Sequence, residues 1–441
     1  MQQLNEHDAG FWATDSASSN ANLTLLHIYD QSTAPCGRVR FKDILAHIES
    51  RLDRLPRFRQ KLLRVPLELD FPYWVDDQEF SLDYHVRHIA LPQPGDWRQF
   101  CIQASRLHAR ALDLGRPLWE LYVIEGLDCF LDLPVGSFAV VLKVHTSMTP
   151  AIQAHEITAL LHDLSAQPNT PAPQTPWFPD SPPSSRELLS RAWLHALLQP
   201  WRSTPLLGRV LAPASNLLTE LSTAKDAQEM TRFNSVVSPY RVFDTRRFNE
   251  AEFEAIQALV DGTCLDDAVL AVCSGGLRRY LALQAELPDQ TLTVAVSASD
   301  ATLATHSPQT ASDKTQLLDL HTDKEDAMVR LAAIQAQQAV AQRPFRVEGG
   351  RGPKVPPAHC TLTHVPGPHA PLYLRGARMT YFSAILPIAD GMGLSYAVTC
   401  YDGKVVISFA SCHEQLPDPE VFAQCLRDSF QEYLALATVA A

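Results

Sequence analysis

The stretch that most constrains this chain runs from residue 136 to 165, GSFAVVLKVHTSMTPAIQAHEITALLHDLS. Ser137 to Val144 is apolar and rich in β-branched residues, about the length of a buried strand, and only Lys143 breaks it. The run ends on His145. Thr149 followed by Pro150 predicts an N-cap and a first helical position. Ile152, Ile157, Leu160, Leu161 and Leu164 then recur at a spacing that buries one helix face. A histidine therefore stands in a turn between a buried strand and a helix N-terminus. The strand fixes its position and the helix end carries unpaired N–H donors. Taken alone, the stretch fits a catalytic histidine and a histidine that only closes a strand equally well.

The rest of the chain alternates in the same way. Asn22 to Tyr29 predicts a first strand and Phe41 to Leu55 an amphipathic helix. Phe80 to Val86 has the alternation of an extended segment, Trp97 to Leu112 that of a helix, and Leu118 to Ile124 that of a strand turning at Gly126. This order predicts an α/β layered architecture, and 441 residues predict two domains. A formal charge of −12 argues against a general nucleic-acid binder. The nine cysteines form no CxxC pair and no Cys/His cluster, so they read as reduced, buried thiols and not as disulfides or a metal site. The first residues show no signal peptide, and no apolar run approaches the ~20 residues that span a bilayer. These features predict a cytoplasmic protein, free or peripheral on membrane or lipid inclusions.

Particular motifs narrow the reading. LNEHDAGFW, RLPRFRQKLLRVP, PYWVDDQEFSLDYHVRHIALPQPGD and ARALDLGRPLWELYVIEGL stand in the first half, and RFNSVVSPYRVF, CLDDAVLAVCSGGLRRYL and THVPGPHAPLYLRGARM in the second. In this order they resemble the bacterial wax ester synthase/diacylglycerol acyltransferase family over most of the chain. Pro117-Leu118-Trp119 and Val365-Pro366-Gly367-Pro368 are the most specific of them. The resemblance implies the CoA-dependent acyltransferase fold, shared with chloramphenicol acetyltransferase and peptide-synthetase condensation domains. It has two related α/β domains, with mixed sheets flanked by helices and a tunnel between them. Here they would cover residues 1–165 and 232–441, joined by a proline-rich linker and amphipathic helical segment over 166–231. The implied chemistry is acyl transfer from acyl-CoA, a cosubstrate and not a bound cofactor, to a long-chain alcohol or diacylglycerol. Pro117, Leu118, Trp119, Asp266, Asp267, Pro366 and Gly367 are the implied substrate-binding residues.

In that family the general base is the second histidine of an HHxxxDG motif, and its aspartate holds the turn. The aligned residues here are His145-Thr146-Ser147-Met148-Thr149-Pro150-Ala151. The first histidine is kept. Thr146 stands at the base position, Pro150 at the aspartate and Ala151 at the glycine. A threonine hydroxyl is no general base near neutral pH, and loss of a positioned base costs about 10²–10⁴ in rate, roughly 3–5 kcal/mol. His145 and Thr146 are thus the candidate catalytic positions. Two readings follow: a divergent O-acyltransferase of weak or altered activity, or a catalytically silent homologue that binds acyl chains, CoA or a protein partner.

The remaining landmarks carry their own alternatives. Asp266 and Asp267, where the family usually has Asn-Asp, are read either as an acid/base pair or as Asp266 capping a helix to Leu283 with Asp267 in its first turn. Gly275-Gly276 inside that helix predicts close packing against another element. Trp119 is either a tunnel wall or plain core, and His155 is expected to be solvated. Asn249 to Glu252 forms a capping box opening a helix closed by Asp261-Gly262, and Leu292 to Ser297 predicts a strand. The prolines from Pro168 to Ser185 predict a semi-rigid tether. Arg186 to Leu221, with leucines, Trp193, Trp201 and several arginines, reads either as a segment lying on a membrane or lipid-droplet surface, or as a helical hairpin packed on the protein. His364 replaces the asparagine usual before the VPGP turn, and Arg343 to Pro357 forms a short, flexible loop.

Overall fold

The computed structural model describes residues 1–4, 15, 18–129, 133–134, 136–148, 153–167, 176–198, 230–297, 315–340, 358–368 and 370–440. In chain order these form β1 (Asn22–Asp30), α1 (Phe41–Arg51), β2 (Val86–Ala90), α2 (Trp97–Ala109), β3 (Trp119–Leu127), β4 (Ser137–His145), α3 (Ala154–Leu161) and α4 (Ser185–Leu198). The second half contributes β5 (Arg241–Asn249), α5 (Glu250–Gln257), α6 (Leu265–Leu283), β6 (Thr293–Ser297), β7 (Thr315–Asp319) and α7 (Ala327–Val340). It closes with β8 (Cys360–His364), β9 (Tyr373–Leu374), β10 (Ala377–Ile385), β11 (Leu394–Tyr401), β12 (Lys404–Cys412) and α8 (Pro419–Ala440).

Two six-stranded sheets result. The first has the order β9-β10-β1-β4-β3-β2 and the second β7-β6-β8-β11-β12-β5. Both are mixed: β2 runs parallel to β3, and β8 runs parallel to β6 and β11, while the other neighbours are antiparallel. The expected α/β architecture with mixed sheets and flanking helices is therefore present. Sequence position does not divide the sheets, however. From beyond residue 370, β10 pairs with β1 and β9 with β10, and together they complete the sheet of the first half.

Several local expectations are corrected. The segment at Phe80–Val86 is not extended throughout: Leu82–His85 makes one helical turn before β2. Helix α3 stops at Leu161, so Ile157 and Leu161 are buried but Leu164 is 75 % exposed beyond the helix end. The linker is no free tether where it is described. Arg59 lies over the Trp177 ring at 5.0 Å, Gln78 donates to the Asp180 carbonyl at 2.7 Å, and the Asp180 amide donates to Asp76 at 3.1 Å. Five cysteines are buried as expected, but Cys36, Cys129 and Cys264 are exposed; all nine are free. No helix among the described residues is long and apolar enough to cross a membrane.

Gly275 and Gly276 do mark a close helix crossing, of α6 on α8. A Cβ at Gly276 would fall 2.5 Å from Leu426 Cδ2 and 3.0 Å from its Cα. Helix propensity would reward a replacement by up to about 1 kcal/mol. Overpacking a well-filled contact costs about 1–3 kcal/mol and a leucine cannot be accommodated without moving backbone. Gly276→Leu should therefore lower the thermal midpoint by several degrees in a scanning calorimetry trace; an unchanged or raised midpoint would contradict this packing.

Candidate active site

β4 is paired on both edges, with His145 opposite Asn22 of β1 and Val144 opposite Trp119 of β3. Phe138, Val140, Leu142 and Val144 point into one core and Ala139 and Val141 into the other, so period two puts Lys143 and His145 on the second face. The lysine that interrupts the apolar run is fully buried, and its charge is matched. Its Nζ lies 2.8 Å from Glu120 Oε2 and donates to the carbonyls of Leu107 and Arg110 at 3.1 and 3.0 Å. Tyr122 donates to the same carboxylate at 2.8 Å. Burial alone would raise the Glu120 carboxyl; the Lys143 charge and these hydrogen bonds outweigh it and hold Glu120 below its ordinary range.

The turn after β4 is tied at both ends. The His145 amide donates to the Leu118 carbonyl at 3.0 Å and the Thr146 amide to that of Ala21 at 2.9 Å. The motif residues Pro117, Leu118 and Trp119 thus sit directly behind the turn. Leu118 and Trp119 are wholly buried; the Trp119 indole donates to the Phe58 carbonyl at 2.8 Å and its ring stacks on His85 at 4.6 Å. Trp119 is core.

His145 is fully buried and both ring nitrogens are engaged. The Ser147 amide donates to Nδ1 at 3.1 Å, which fixes Nδ1 as the acceptor and leaves the proton on Nε2. Ser147 Oγ lies 2.7 Å from the same Nδ1. Nε2 donates to Asp15 Oδ2 at 3.1 Å, and the other Asp15 oxygen accepts from the Ala21 amide at 2.6 Å. Thr146, at the base position, is buried, and its hydroxyl has no hydrogen-bond partner among the described residues. Ser147 and Asp15 were not singled out in the sequence. Ser147 follows His145 by two residues, a signal that was available; Asp15 is 130 residues away and gave none. The cap expected at Thr149 and Pro150 lies outside the described residues, as do Ala151 and Ile152.

A second buried polar group holds α3 against β1. His162 Nδ1 donates to the Thr158 carbonyl at 2.5 Å and its Nε2 accepts from Tyr29 OH at 2.5 Å. His27 Nε2 lies 3.2 Å from Thr158 Oγ1. Burial pushes His162 down to about 4 and His27 well below its ordinary value, so both are neutral near pH 7. His47 donates to the Leu161 carbonyl at 2.8 Å, and Arg51 pairs with Asp163. The helix following the turn is thereby fixed at its C-terminal end. His155 on α3 is half-buried and interacts with the protein, in place of the solvated side chain expected.

The second-half landmarks lie on α6 and on the segment that follows β8. Asp266 does not cap α6. Cys264 is the N-cap, and Asp267 closes a capping box by accepting from the Cys264 amide at 2.9 Å. Asp267 is thus structural. Asp266, freed from that role, places Oδ1 3.1 Å from His364 Nε2, off the line of a hydrogen bond. Burial lowers the His364 imidazole and the Asp266 charge opposes it. Gly367 is required by close approach, since a Cβ there would fall 1.9 Å from the Cys400 carbonyl oxygen. Val365, just before Pro366, packs in the same core as Val144 and Ala154, which flank the turn. The described residues put the Pro117–Trp119 segment beside the turn, and bring the VPGP segment only to its supporting core.

Residues 4–269 match the wax ester synthase/diacylglycerol acyltransferase catalytic domain and residues 326–433 match its C-terminal domain. A Mycobacterium tuberculosis protein named as a diacylglycerol O-acyltransferase is 28% identical over 98% of this chain and 90% of its own. The wax ester synthase/diacylglycerol acyltransferase structure from Marinobacter aquaeolei superposes with a TM-score of 0.75 at 23% identity, covering 99% of this chain and 100% of that one. The starter condensation domain of rhizomide synthetase, solved with an eight-carbon CoA, superposes with a TM-score of 0.50 at 13% identity, over 98% of this chain and 92% of that one.

Proposed function

The chain belongs to the wax ester synthase/diacylglycerol acyltransferase family, and from that premise we propose that it is a divergent O-acyltransferase. It moves a long acyl chain from CoA to a lipid hydroxyl, slowly. The observation that carries the reading is the turn after β4. Its supports, the Leu118 carbonyl, the Ala21 carbonyl and the buried α3 contacts, are all in place, while the position that removes the acceptor proton in the family carries Thr146. The family's reaction needs an acceptor oxygen to lose a proton as it attacks the thioester and CoA leaves as thiolate. Thr146 Oγ1 lies in a buried site with no hydrogen-bond partner among the described residues, so it can orient an acceptor or bind the developing oxyanion. It cannot take the proton. The relative solved with an eight-carbon CoA has the same fold and supports acyl-CoA as donor.

A second reading rests on His145. With Nδ1 held by Ser147 and Nε2 by Asp15, no ring nitrogen is left for an acceptor hydroxyl, which favours a silent homologue that binds acyl-CoA without turning it over. Radiolabelled palmitoyl-CoA incubated with the protein and either hexadecanol or diacylglycerol separates the two. Labelled wax ester or triacylglycerol above a protein-free control supports the acyltransferase. Saturable binding of palmitoyl-CoA with no labelled ester supports the silent homologue.

The acceptors are insoluble lipids, and α4 offers a face to meet them. Leu188 and Ala192 pack on Val65, Tyr73 and Val75, while Trp193 is 66 % exposed and Leu197 74 %. Arg186 adds positive charge on the same helix, where Arg191 pairs with Glu187 at 2.9 Å. We propose that this face rests on an anionic lipid surface in the cytoplasm. Co-sedimentation with phosphatidylglycerol vesicles should then weaken several-fold in Trp193→Ala/Leu197→Ala and as salt is raised. Binding that ignores both changes would remove α4 from the lipid contact.

A further inference from the structure

The three side chains at the turn form an arrangement that the family's mechanism does not use. Ser147 Oγ lies 2.7 Å from His145 Nδ1, and His145 Nε2 donates to Asp15 at 3.1 Å. This is a hydroxyl, an imidazole and a carboxylate in series, with the roles of the two ring nitrogens exchanged relative to the serine hydrolases. The tautomer is the productive one. The Ser147 amide and hydroxyl both approach the single Nδ1 lone pair, so the hydroxyl takes it as the amide turns away, and Asp15 holds the proton on Nε2. Asp15 is itself held by the Ala21 amide, so the carboxylate is placed and not incidental.

We propose that Ser147 is an acyl-accepting nucleophile, so that this chain transfers acyl groups through an acyl-serine in place of the direct route its Thr146 forecloses. The proposal rests on the acyltransferase reading above. In the first step Ser147 Oγ bonds to the thioester carbonyl carbon as its proton passes to His145 Nδ1. The carbon–sulfur bond breaks with its electron pair on CoA sulfur, and the imidazolium returns the proton to that thiolate, releasing CoA. In the second step the acceptor hydroxyl gives its proton to Nδ1 and its oxygen bonds to the acyl carbon. Ser147 Oγ leaves and takes the proton back. The Asp15 carboxylate faces the imidazolium through Nε2 in both steps. Proton transfer to Nδ1 also releases the Ser147 amide N–H from that nitrogen, and the nucleophile's own amide is a donor suited to the carbonyl oxygen as it gains charge. The Thr146 hydroxyl, which has no partner among the described residues, is a further donor on the same turn.

The test is a quench experiment on the full chain with radiolabelled palmitoyl-CoA and no acceptor. The expected result is a burst of CoA of about one equivalent and a palmitoyl adduct on the peptide carrying Ser147. The adduct should resist neutral hydroxylamine, as an oxygen ester does, whereas label on the exposed Cys36, Cys129 or Cys264 is lost under that treatment. Ser147→Ala should lose adduct and burst. Ser147→Cys, which keeps a nucleophile in place, should restore an adduct that neutral hydroxylamine now removes. Asp15→Asn, a positioning change, should slow the burst while leaving its size near one equivalent. Ester formation that proceeds without a burst, with Ser147 unmodified and Ser147→Ala at the wild-type rate, overturns the acyl-serine and leaves the acyltransferase reading standing. Absence of CoA release, adduct and ester in folded wild type overturns both.

Discussion

Thr146→His/Pro150→Asp/Ala151→Gly should form palmityl palmitate from palmitoyl-CoA and hexadecanol about 10²–10⁴ times faster than the wild type. The gain is the worth of a positioned base. Residue 146 is suited to receive it: its amide is anchored on the Ala21 carbonyl, its side chain is buried, and its hydroxyl makes no hydrogen bond among the described residues. Thr146→His alone should recover much less. An imidazole there needs an oriented ring, and Pro150 brings neither the carboxylate nor a backbone N–H to the turn. In the triple variant, initial rates should rise mainly through kcat, because the base acts only in the transition state. A triple variant that folds, binds palmitoyl-CoA and gains nothing would show that the turn is not where the acceptor is deprotonated.

Lys143→Met should cost about 3–5 kcal/mol of stability, the range for removing one partner of a buried ion pair. Lys143 is wholly buried and Glu120 nearly so. With Nζ gone, Glu120 keeps the Tyr122 hydroxyl and Arg87 at 3.6 Å, and the carbonyls of Leu107 and Arg110 lose a donor. The loss should be largest near neutral pH and shrink in acid. Glu120 sits below its ordinary range in the folded protein, so its contribution is present above the unfolded pKa and fades as pH falls through the folded one. Lys143→Met/Glu120→Leu should recover much of the loss, since an apolar pair of similar volume is often neutral or better. Urea unfolding of both variants checks this. A double variant as unstable as the sum of its singles would mean the two residues do not act as a pair.

The strands and helices were legible because their periods are strong. β1, β4, α2 and α6 begin within a residue or two of where the apolar pattern places them, and the Asn249–Glu252 box opens α5 as written. What escaped was long-range or depended on competition between neighbours. β10 is as apolar as any strand, but nothing in its sequence says that it completes a sheet begun at Asn22. Asp266 has the chemistry of a cap, yet Cys264 and Asp267 bracket the helix start two residues earlier, and only the backbone decides between them. Lys143 looked like a flaw in a buried strand; its partner Glu120 stands opposite it on β3, and a register is invisible without the sheet. At the site, the motif position of His145 could be read directly. That Asp15 would reach its Nε2 from the far end of the chain could not, and neither could the use of Ser147 to occupy Nδ1.

The most direct test of the account is a side-by-side rate measurement. Wild type, His145→Ala and a relative with the complete HHxxxDG motif would be assayed with the same palmitoyl-CoA and hexadecanol. The wild type should form ester about 10²–10⁴ times more slowly than the relative, and His145→Ala should lose more, because the remaining chemistry runs through that imidazole. A wild type that matches the relative, with His145→Ala unchanged, would contradict it and place the base elsewhere in the chain.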